Sequence, residues 1–133
     1  METPQKTPAE LFAAQALASQ VKKELTENIL PYWMGKMINP DGGFYGRIDG
    51  LENLDPESPV GNIMTARMLW TFASAYRLLG NQEYLDMALR AKDFIISNFY
   101  DPELGGTYWS LSSDGTPLDT KKQIYAIAFT IYG

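Results

Sequence analysis

The sequence contains neither cysteine nor histidine in its 133 residues. Without cysteine, no disulfide framework and no thiolate site can form, and the redox compartment is left open. Without histidine, the usual zinc sites cannot be assembled and a serine nucleophile has no imidazole base. Acid–base chemistry within this chain therefore has to use carboxylates, tyrosines or lysines. We expect no metal site and no cofactor.

Basic residues are also few: 11 lysines and arginines stand against 16 acidic residues, and the net charge is −5. They are scattered, which argues against nucleic acid or an anionic membrane surface as a partner. No uncharged apolar run approaches the roughly 18 residues of a membrane span, and the N-terminal segment lacks the pattern of a leader peptide. We therefore expect a cytoplasmic domain. Because the chain is acidic and 13% of its residues are aromatic, we expect its partner to be a small neutral molecule.

The first helix is predicted to begin at Thr7, with Pro8 in its first turn and Glu10 closing a capping box. It is predicted to reach residues 28–30, because Pro31 breaks or kinks a helix.

The stretch 58–80 predicts a central helix that is apolar on nearly every face and therefore buried. Arg67 lies in its middle and would need an anionic or hydrogen-bonded partner there. A structural ion pair and a functional role explain Arg67 equally well. Gly80 and Asn81 predict a tight turn into an outer, amphipathic helix over about 82–98.

Two loops with the same sequence pattern precede the apolar helices. Each has a turn, a Gly-Gly pair and aromatic residues, and Gly105 follows Gly42 by 63 positions. The second loop leads into 124–132, as apolar as the central helix. An outer helix, a long loop and an inner helix thus repeat about every 60 residues, which predicts an all-α solenoid or toroid of αα-hairpins. We interpret the chain as the N-terminal piece of a longer protein; a complete four-helix bundle is the alternative.

Five blocks in order make the chain resemble the N-acylglucosamine 2-epimerase and cellobiose 2-epimerase family: 29–33, 42–46, 66–70, 105–110 and 122–125. The block at 66–70 is more similar to the cellobiose branch. The resemblance implies an (α/α)6 barrel, of which residues 1–133 are about the first third. Hairpin 1 would span about 7–80, and hairpin 2 about 81–133, truncated.

The resemblance also implies an isomerase of carbohydrate metabolism: ring opening of a reducing-end sugar, proton abstraction at C2, an enediolate and reprotonation from the other face. The family's two acid–base histidines lie on later hairpins, so we expect this chain alone to be inactive. Arg67 matches the arginine that faces the enediolate oxygens. Tyr125 matches a tyrosine that hydrogen-bonds the sugar, and Phe129 would form a wall. Ile127 stands where the family usually has Gln.

Other readings stay open. A non-catalytic αα-hairpin module could bind carbohydrate or protein, and exposed inner helices would favour self-association. Trp70 and Trp109 are better explained as core residues than as sugar-stacking surfaces. A glycosidase would need two converging carboxylates. Solvated loop charges explain the acidic residues of the first loop better: Asp49, Glu52, Asp55 and Glu57.

Overall fold

The computed structural model describes residues 7–133. The six residues before them, which belong to the segment without a leader pattern, lie outside this range. The chain divides into a unit that ends at Lys36 and a second unit, Met37–Gly133. Each is described by itself. Within the described residues, no helix combines the length and the apolar character that crossing a lipid bilayer requires.

The first unit is helical from Pro8 onwards. Helix α1, Pro8–Glu24, begins with the predicted capping box, in which the Thr7 N–H donates to a Glu10 carboxylate oxygen at 2.7 Å and the Thr7 hydroxyl accepts from the Glu10 N–H at 3.3 Å. Two orphan donors of the first turn are thus satisfied. α1 buries none of its residues.

Pro31 does not end the helix, contrary to the prediction. A wider π-helical turn, Leu25–Ile29, follows α1, and helix α2, Leu30–Lys36, continues past the proline. The N–H of Leu30 donates to the carbonyl of Leu25, five residues earlier. This register change widens the turn before Pro31, so the ring avoids the carbonyl that it would strike in a regular α-helix.

The second unit combines three helices with short strands. The helices are α3, Asn62–Leu79, α4, Gln82–Phe94, extended by a π-helical turn, Ile95–Phe99, and α5, Ile124–Tyr132. The strands are β1, Arg47–Ile48, β2, Leu54–Asp55, β3, Val60–Gly61, β4, Ser110–Leu111, and β5, Pro117–Asp119. β1 pairs with β2, and β4 lies between β3 and β5; all pairs are antiparallel.

α3 and α4 form an αα-hairpin whose turn has the predicted chemistry. Gly80 ends α3 in the left-handed region at φ 73°, and the Asn81 side chain accepts from the Glu83 N–H at 3.0 Å. These are the usual C-cap and N-cap roles of glycine and asparagine. The core of this unit lies between α3, the second π-helical turn and the strands: Val60, Ala66, Ile95, Phe99 and Leu111.

The two Gly-Gly loops share one backbone hydrogen-bond pattern, which confirms the repeat. Three pairs of bonds correspond: Tyr45 N–H to Met37 O and Tyr108 N–H to Phe99 O, 2.9 Å each; Asn39 N–H to Gly43 O and Asp101 N–H to Gly106 O; Gly42 N–H to Asn39 O and Gly105 N–H to Asp101 O. In each pair, the donor residue in the second loop lies 62 or 63 positions after the donor residue in the first, and the same holds for the acceptor residues. Similar sequence has therefore produced the same loop twice.

The inner helices are less buried than their composition predicts. α3 leaves Arg67, Trp70 and Leu78 exposed, and α5 buries Ala126 alone. The reason is geometric. α3 packs on both α4 and α5, whereas α5 makes its main helix contact with α3, so the remaining faces of both helices stay open within residues 37–133.

Candidate substrate-binding site

An open groove of about 470 Å³ runs along α5 and is lined by Tyr125, Ala128, Phe129 and Tyr132. Their spacing of three or four residues places them on one side of the helix. The ring centroids of Tyr125 and Phe129 lie 5.0 Å apart, edge to face, at 76°. The structure thus brings together the two residues that the resemblance assigns to substrate binding.

Tyr125 and Phe129 differ in burial, and so in what they can do. Phe129 packs against the core, so one side of its ring is held in place. Tyr125 is 62% exposed. Its phenol can donate and accept hydrogen bonds towards a ligand in the groove, while the Phe129 ring can only offer an apolar surface.

Trp70 joins this site from the neighbouring helix. Its indole stacks on the Tyr132 ring with centroids 5.5 Å apart and planes at 20°. At 43% exposure, Trp70 is not the core residue that the sequence favoured. The surface that it presents became visible only from the packing of α3 against α5. Trp109, also expected in the core, is half-buried, with the Lys121 ammonium 4.8 Å from its ring centroid.

Arg67 is exposed, and the expectation of a buried cation is wrong. It lies between Ala66 and Met68, which are both buried, and one step of 100° around the helix is enough to turn it outward. Among the described residues, its guanidinium makes no hydrogen bond and no ion pair. Arg67 does not line the α5 groove. It lies one turn before Trp70, on the same side of α3.

Three polar residues that the sequence analysis missed meet where α3, α5 and the second loop come together; Asn62 and Thr107 are buried and Thr130 is half-buried. The Asn62 amide donates to the Thr107 hydroxyl at 2.6 Å, and the Thr130 hydroxyl donates to the Asn62 carbonyl oxygen at 2.9 Å. The signal in the sequence was weak: one Asn at the start, and one Thr near the end, of two apolar helices.

Lys122 fastens the second loop to the residues just before α5. Its ammonium donates to Asp101 Oδ2 at 2.6 Å and to the Gly105 carbonyl at 2.7 Å, and it lies over the Tyr108 ring. Asp101 Oδ1 accepts from two backbone N–H groups. The hydrogen bond from Lys122, followed by these backbone N–H groups, lowers the pKa of Asp101 to about 2. The loop is therefore held by a permanently charged pair at neutral pH.

The acidic residues of the first loop shape turns. The Asp49 carboxylate accepts from the N–H groups of Leu51 and Asn53, both at 2.8 Å, and Asp55 accepts from the Ser58 hydroxyl. Hydrogen bonds from Asn53 lower the pKa of Asp49. A glycosidase acid needs the opposite, a carboxyl kept neutral by burial. The geometry of Asp49 and Asp55 thus agrees with the interpretation of these residues as loop charges rather than as a glycosidase pair.

The sequence model of the family described as N-acylglucosamine 2-epimerase (GlcNAc 2-epimerase) matches residues 43–133. This chain belongs to that family. The match includes the inner helices and both residues of the α5 groove that the resemblance singled out.

Several curated proteins to which this chain is similar are cellobiose 2-epimerases. The one from Bacteroides fragilis is 58% identical over 120 residues, which are 90% of this chain and 31% of the relative. One from Ruminococcus albus is 44% identical over 117 residues, 87% of this chain and 30% of the relative. This chain therefore spans about 30% of the length of the curated relatives that it matches.

The solved structure of cellobiose 2-epimerase from Spirochaeta thermophila superposes with a TM-score of 0.86 at 38% identity, over 97% of this chain and 31% of that one. This confirms the all-α fold class: the chain folds like the first hairpins of an (α/α)6 barrel.

Proposed function

We propose that this chain contributes to a sugar 2-epimerase that acts at C2 of a reducing-end aldose, of the cellobiose or N-acylglucosamine type. The reaction would abstract the C2 proton from the open-chain sugar and return a proton to the opposite face. Family membership supports the reaction class, and the curated relatives named above favour cellobiose over N-acylglucosamine.

The observation that carries the proposal is the aromatic groove on α5. A neutral sugar offers apolar C–H faces and a rim of hydroxyl groups. The Phe129 ring, fixed by the core on one side, suits the first, and the exposed Tyr125 phenol suits the second. The groove of about 470 Å³ falls within the usual size range of small-molecule sites.

In this proposal, Arg67 stabilises the enediolate. A guanidinium offers five N–H donors in a fixed plane, and donors that face developing negative charge are commonly the largest contribution to such catalysis. No carboxylate among the described residues forms an ion pair with Arg67, so the N–H donors of its guanidinium are available to a ligand. Arg67 lies one turn from Trp70, whose indole stacks on the groove residue Tyr132, and this proximity supports the proposal.

We propose further that the 133 residues alone are inactive. The family's acid–base pair consists of histidines, and this chain has none. The pair would have to come from outside this sequence. A purified chain should therefore show no exchange of the C2 proton with solvent in the presence of cellobiose or N-acetylglucosamine.

A chimera tests the proposal. The segment of the Bacteroides fragilis relative that matches this chain is replaced by this chain, which is 58% identical to it. The chimera is incubated with cellobiose in D₂O, and NMR follows deuterium at C2 and the 2-epimer. We expect both. N-acetylglucosamine in a parallel assay decides between the two substrate types.

Two results would contradict these proposals. If a folded chimera epimerises neither sugar, the chain does not support the reaction, and a non-catalytic carbohydrate- or protein-binding hairpin module becomes the better description. Epimerisation at an enzyme-like rate by the isolated 133 residues would instead disprove their inactivity.

We also propose that the isolated chain self-associates through α5. Ile124 and Ile131 are more than four-fifths exposed, and with Tyr132 they form an apolar surface that rarely stays uncovered. Ile131→Asp should shift the chain towards monomer in sedimentation velocity. Leu104→Asp, at an equally exposed leucine in the second loop, is the control. A cytoplasmic location is proposed as well, and cell fractionation tests it.

A further inference from the structure

A closed ring of side-chain hydrogen bonds joins α3, the second Gly-Gly loop and α5. It consists of Asn62, at the first residue of α3, Thr107, in the loop, and Thr130, in α5. Asn62 is completely buried and Thr107 nearly so. The distances are 2.6 Å from the Asn62 amide nitrogen to the Thr107 hydroxyl, 2.9 Å from the Thr130 hydroxyl to the Asn62 amide oxygen, and 3.4 Å between the two hydroxyls.

The groups of the ring can satisfy one another. The Asn62 amide donates to the Thr107 hydroxyl, and the Thr130 hydroxyl has two acceptors, the Asn62 amide oxygen at 2.9 Å and the Ala126 carbonyl within α5 at 3.0 Å. Either hydroxyl can donate in the longer contact between Thr107 and Thr130. The second Asn62 N–H hydrogen goes to the Tyr108 carbonyl at 3.1 Å. No buried side-chain nitrogen or oxygen of the described residues lacks a partner. The ring is thus a fully satisfied polar network in an otherwise apolar contact.

Beside the Trp70–Tyr132 stack, α3 and α5 also meet through small groups. The buried residue of α5 is Ala126, and a Cβ at Gly133 would lie 2.7 Å from the carbonyl oxygen of Ala66. Contacts between such small groups do not by themselves fix the rotation of α5, to which the packing of Phe129 and the Trp70–Tyr132 stack also contribute. Hydrogen bonds between side chains are directional, and a satisfied buried network favours one arrangement.

We propose that the Asn62–Thr107–Thr130 ring sets the rotation of α5 about its own axis, and thereby aims Tyr125 and Phe129 into the groove. An α-helix turns 100° per residue, so Thr130 facing α3 fixes the direction of Phe129 beside it. A turn of α5 by one residue would point both aromatic rings elsewhere. These three residues are positioning residues for the sugar site; only this consequence for sugar binding rests on the proposed function.

The chain itself offers a test that needs no activity. The Trp70–Tyr132 stack joins α3 and α5, so nuclear Overhauser effects between the two rings report the rotation of α5. Thr130→Val keeps the shape and removes the hydroxyl. We expect it to lower these ring-to-ring effects by about half or more, because they fall steeply with distance, and Thr130→Ser, which keeps the hydroxyl, to restore them.

Thr65→Val is the matched control. Thr65 is also β-branched and is completely buried, but its hydroxyl donates at 3.1 Å to the carbonyl of Gly61, the residue just before α3, and not across to α5. Thr65→Val should leave the nuclear Overhauser effects between the Trp70 and Tyr132 rings unchanged. Equal effects of Thr130→Val and Thr65→Val on the two rings would overturn the proposal. If Thr130→Val does not fold, Thr107→Val opens the same ring from the loop, and intact ring-to-ring effects in that variant would overturn it too.

The chimera adds the functional readout. There, Thr130→Val should raise KM for cellobiose by about 3–10-fold and leave kcat within about twofold, the pattern of lost uniform binding. Thr130→Ser should recover the KM, and Thr65→Val should not change it. An unchanged KM in Thr130→Val would disprove the link to sugar binding. A chimera without any activity contradicts the proposed function instead, while the measurement on the two rings still decides the role of the ring.

Discussion

The indole of Trp70 and the phenol ring of Tyr132 lie stacked, 5.5 Å apart, across the contact between α3 and α5. Both rings remain substantially exposed, so the pair both stabilises the contact and extends the groove surface. Aromatic pairs of this kind contribute about 0.5–1.5 kcal/mol beyond the area that they bury. The stack also connects the face of α3 that carries Arg67 with the Tyr125 side of α5.

Gly43→Ala should destabilise the chain strongly. Gly43 has a φ of +62°, and an added Cβ would lie 2.6 Å from the Phe94 ring. Backbone strain and overpacking act together, and we expect a loss of about 2–4 kcal/mol in the free energy of unfolding. Urea unfolding followed by circular dichroism measures it. Gly50→Ala is the control, because nothing lies within 4 Å of a Cβ there. Equal stabilities of the two variants would contradict the prediction.

Arg90 ties the first Gly-Gly loop to α4, and its removal should loosen this loop. Its guanidinium donates from Nε to the Gly43 carbonyl at 2.8 Å and from Nη2 to the Asn39 carbonyl. Arg90→Ala leaves both carbonyls without these donors, which should cost about 1–3 kcal/mol. Hydrogen exchange should become faster at the Tyr45 amide, which pairs within the loop.

Arg47→Ala, at an exposed residue of β1, is the control for Arg90→Ala. Arg90→Lys should recover only part of the stability, because an ammonium group cannot place two donors in the fixed plane of a guanidinium. Full recovery by lysine would show that charge, rather than the geometry of the two hydrogen bonds, matters at this position.

Features that depend on neighbouring residues along the chain could be predicted from the sequence. The Thr7 capping box, the Gly80 C-cap and the repeated Gly-Gly loop each arise within about ten residues. Burial could not be predicted in the same way, because it depends on which elements cover a helix. The apolar composition of 58–80 is compatible with burial on every side, yet Arg67 and Trp70 are exposed.

The candidate site shows the same division. The family resemblance assigned Tyr125 and Phe129 to the site, both belong to one helix, and their rings are in contact. Asn62 and Thr107 are 45 positions apart, and Thr130 lies a further 23 positions along the chain, so only the packed structure joins them. Ordinary polar residues at such separations give no local pattern. The pairing of Trp70 with Tyr132 was hidden for the same reason.

Asp101 should make the chain sensitive to acid. Its pKa is about 2 in the folded chain and near 3.8 ordinarily, so the unfolded chain binds the proton more readily. Its stabilising contribution is therefore complete above about pH 4 and is lost as the pH falls towards 2. Asp101→Asn should lower stability at pH 6 and flatten the decline between pH 4 and 2.

Urea unfolding at pH 6, 4 and 2.5 measures this dependence on Asp101. Asp41→Asn, at an exposed carboxylate of the first loop with no ion pair among the described residues, serves as the control. If both variants show the same decline between pH 4 and 2, the pair of Asp101 with Lys122 is not its source.

Arg67→Ala should separate stability from activity. Arg67 is exposed and has no partner among the described residues, so its loss should change the stability of the isolated chain by less than about 0.5 kcal/mol. In the chimera, kcat/KM for cellobiose should fall about 10²–10³-fold, the usual effect of removing a donor from a developing oxyanion. Arg77→Ala, also at an exposed arginine of α3, should keep activity. A large loss of stability without loss of activity would instead assign Arg67 to a structural role.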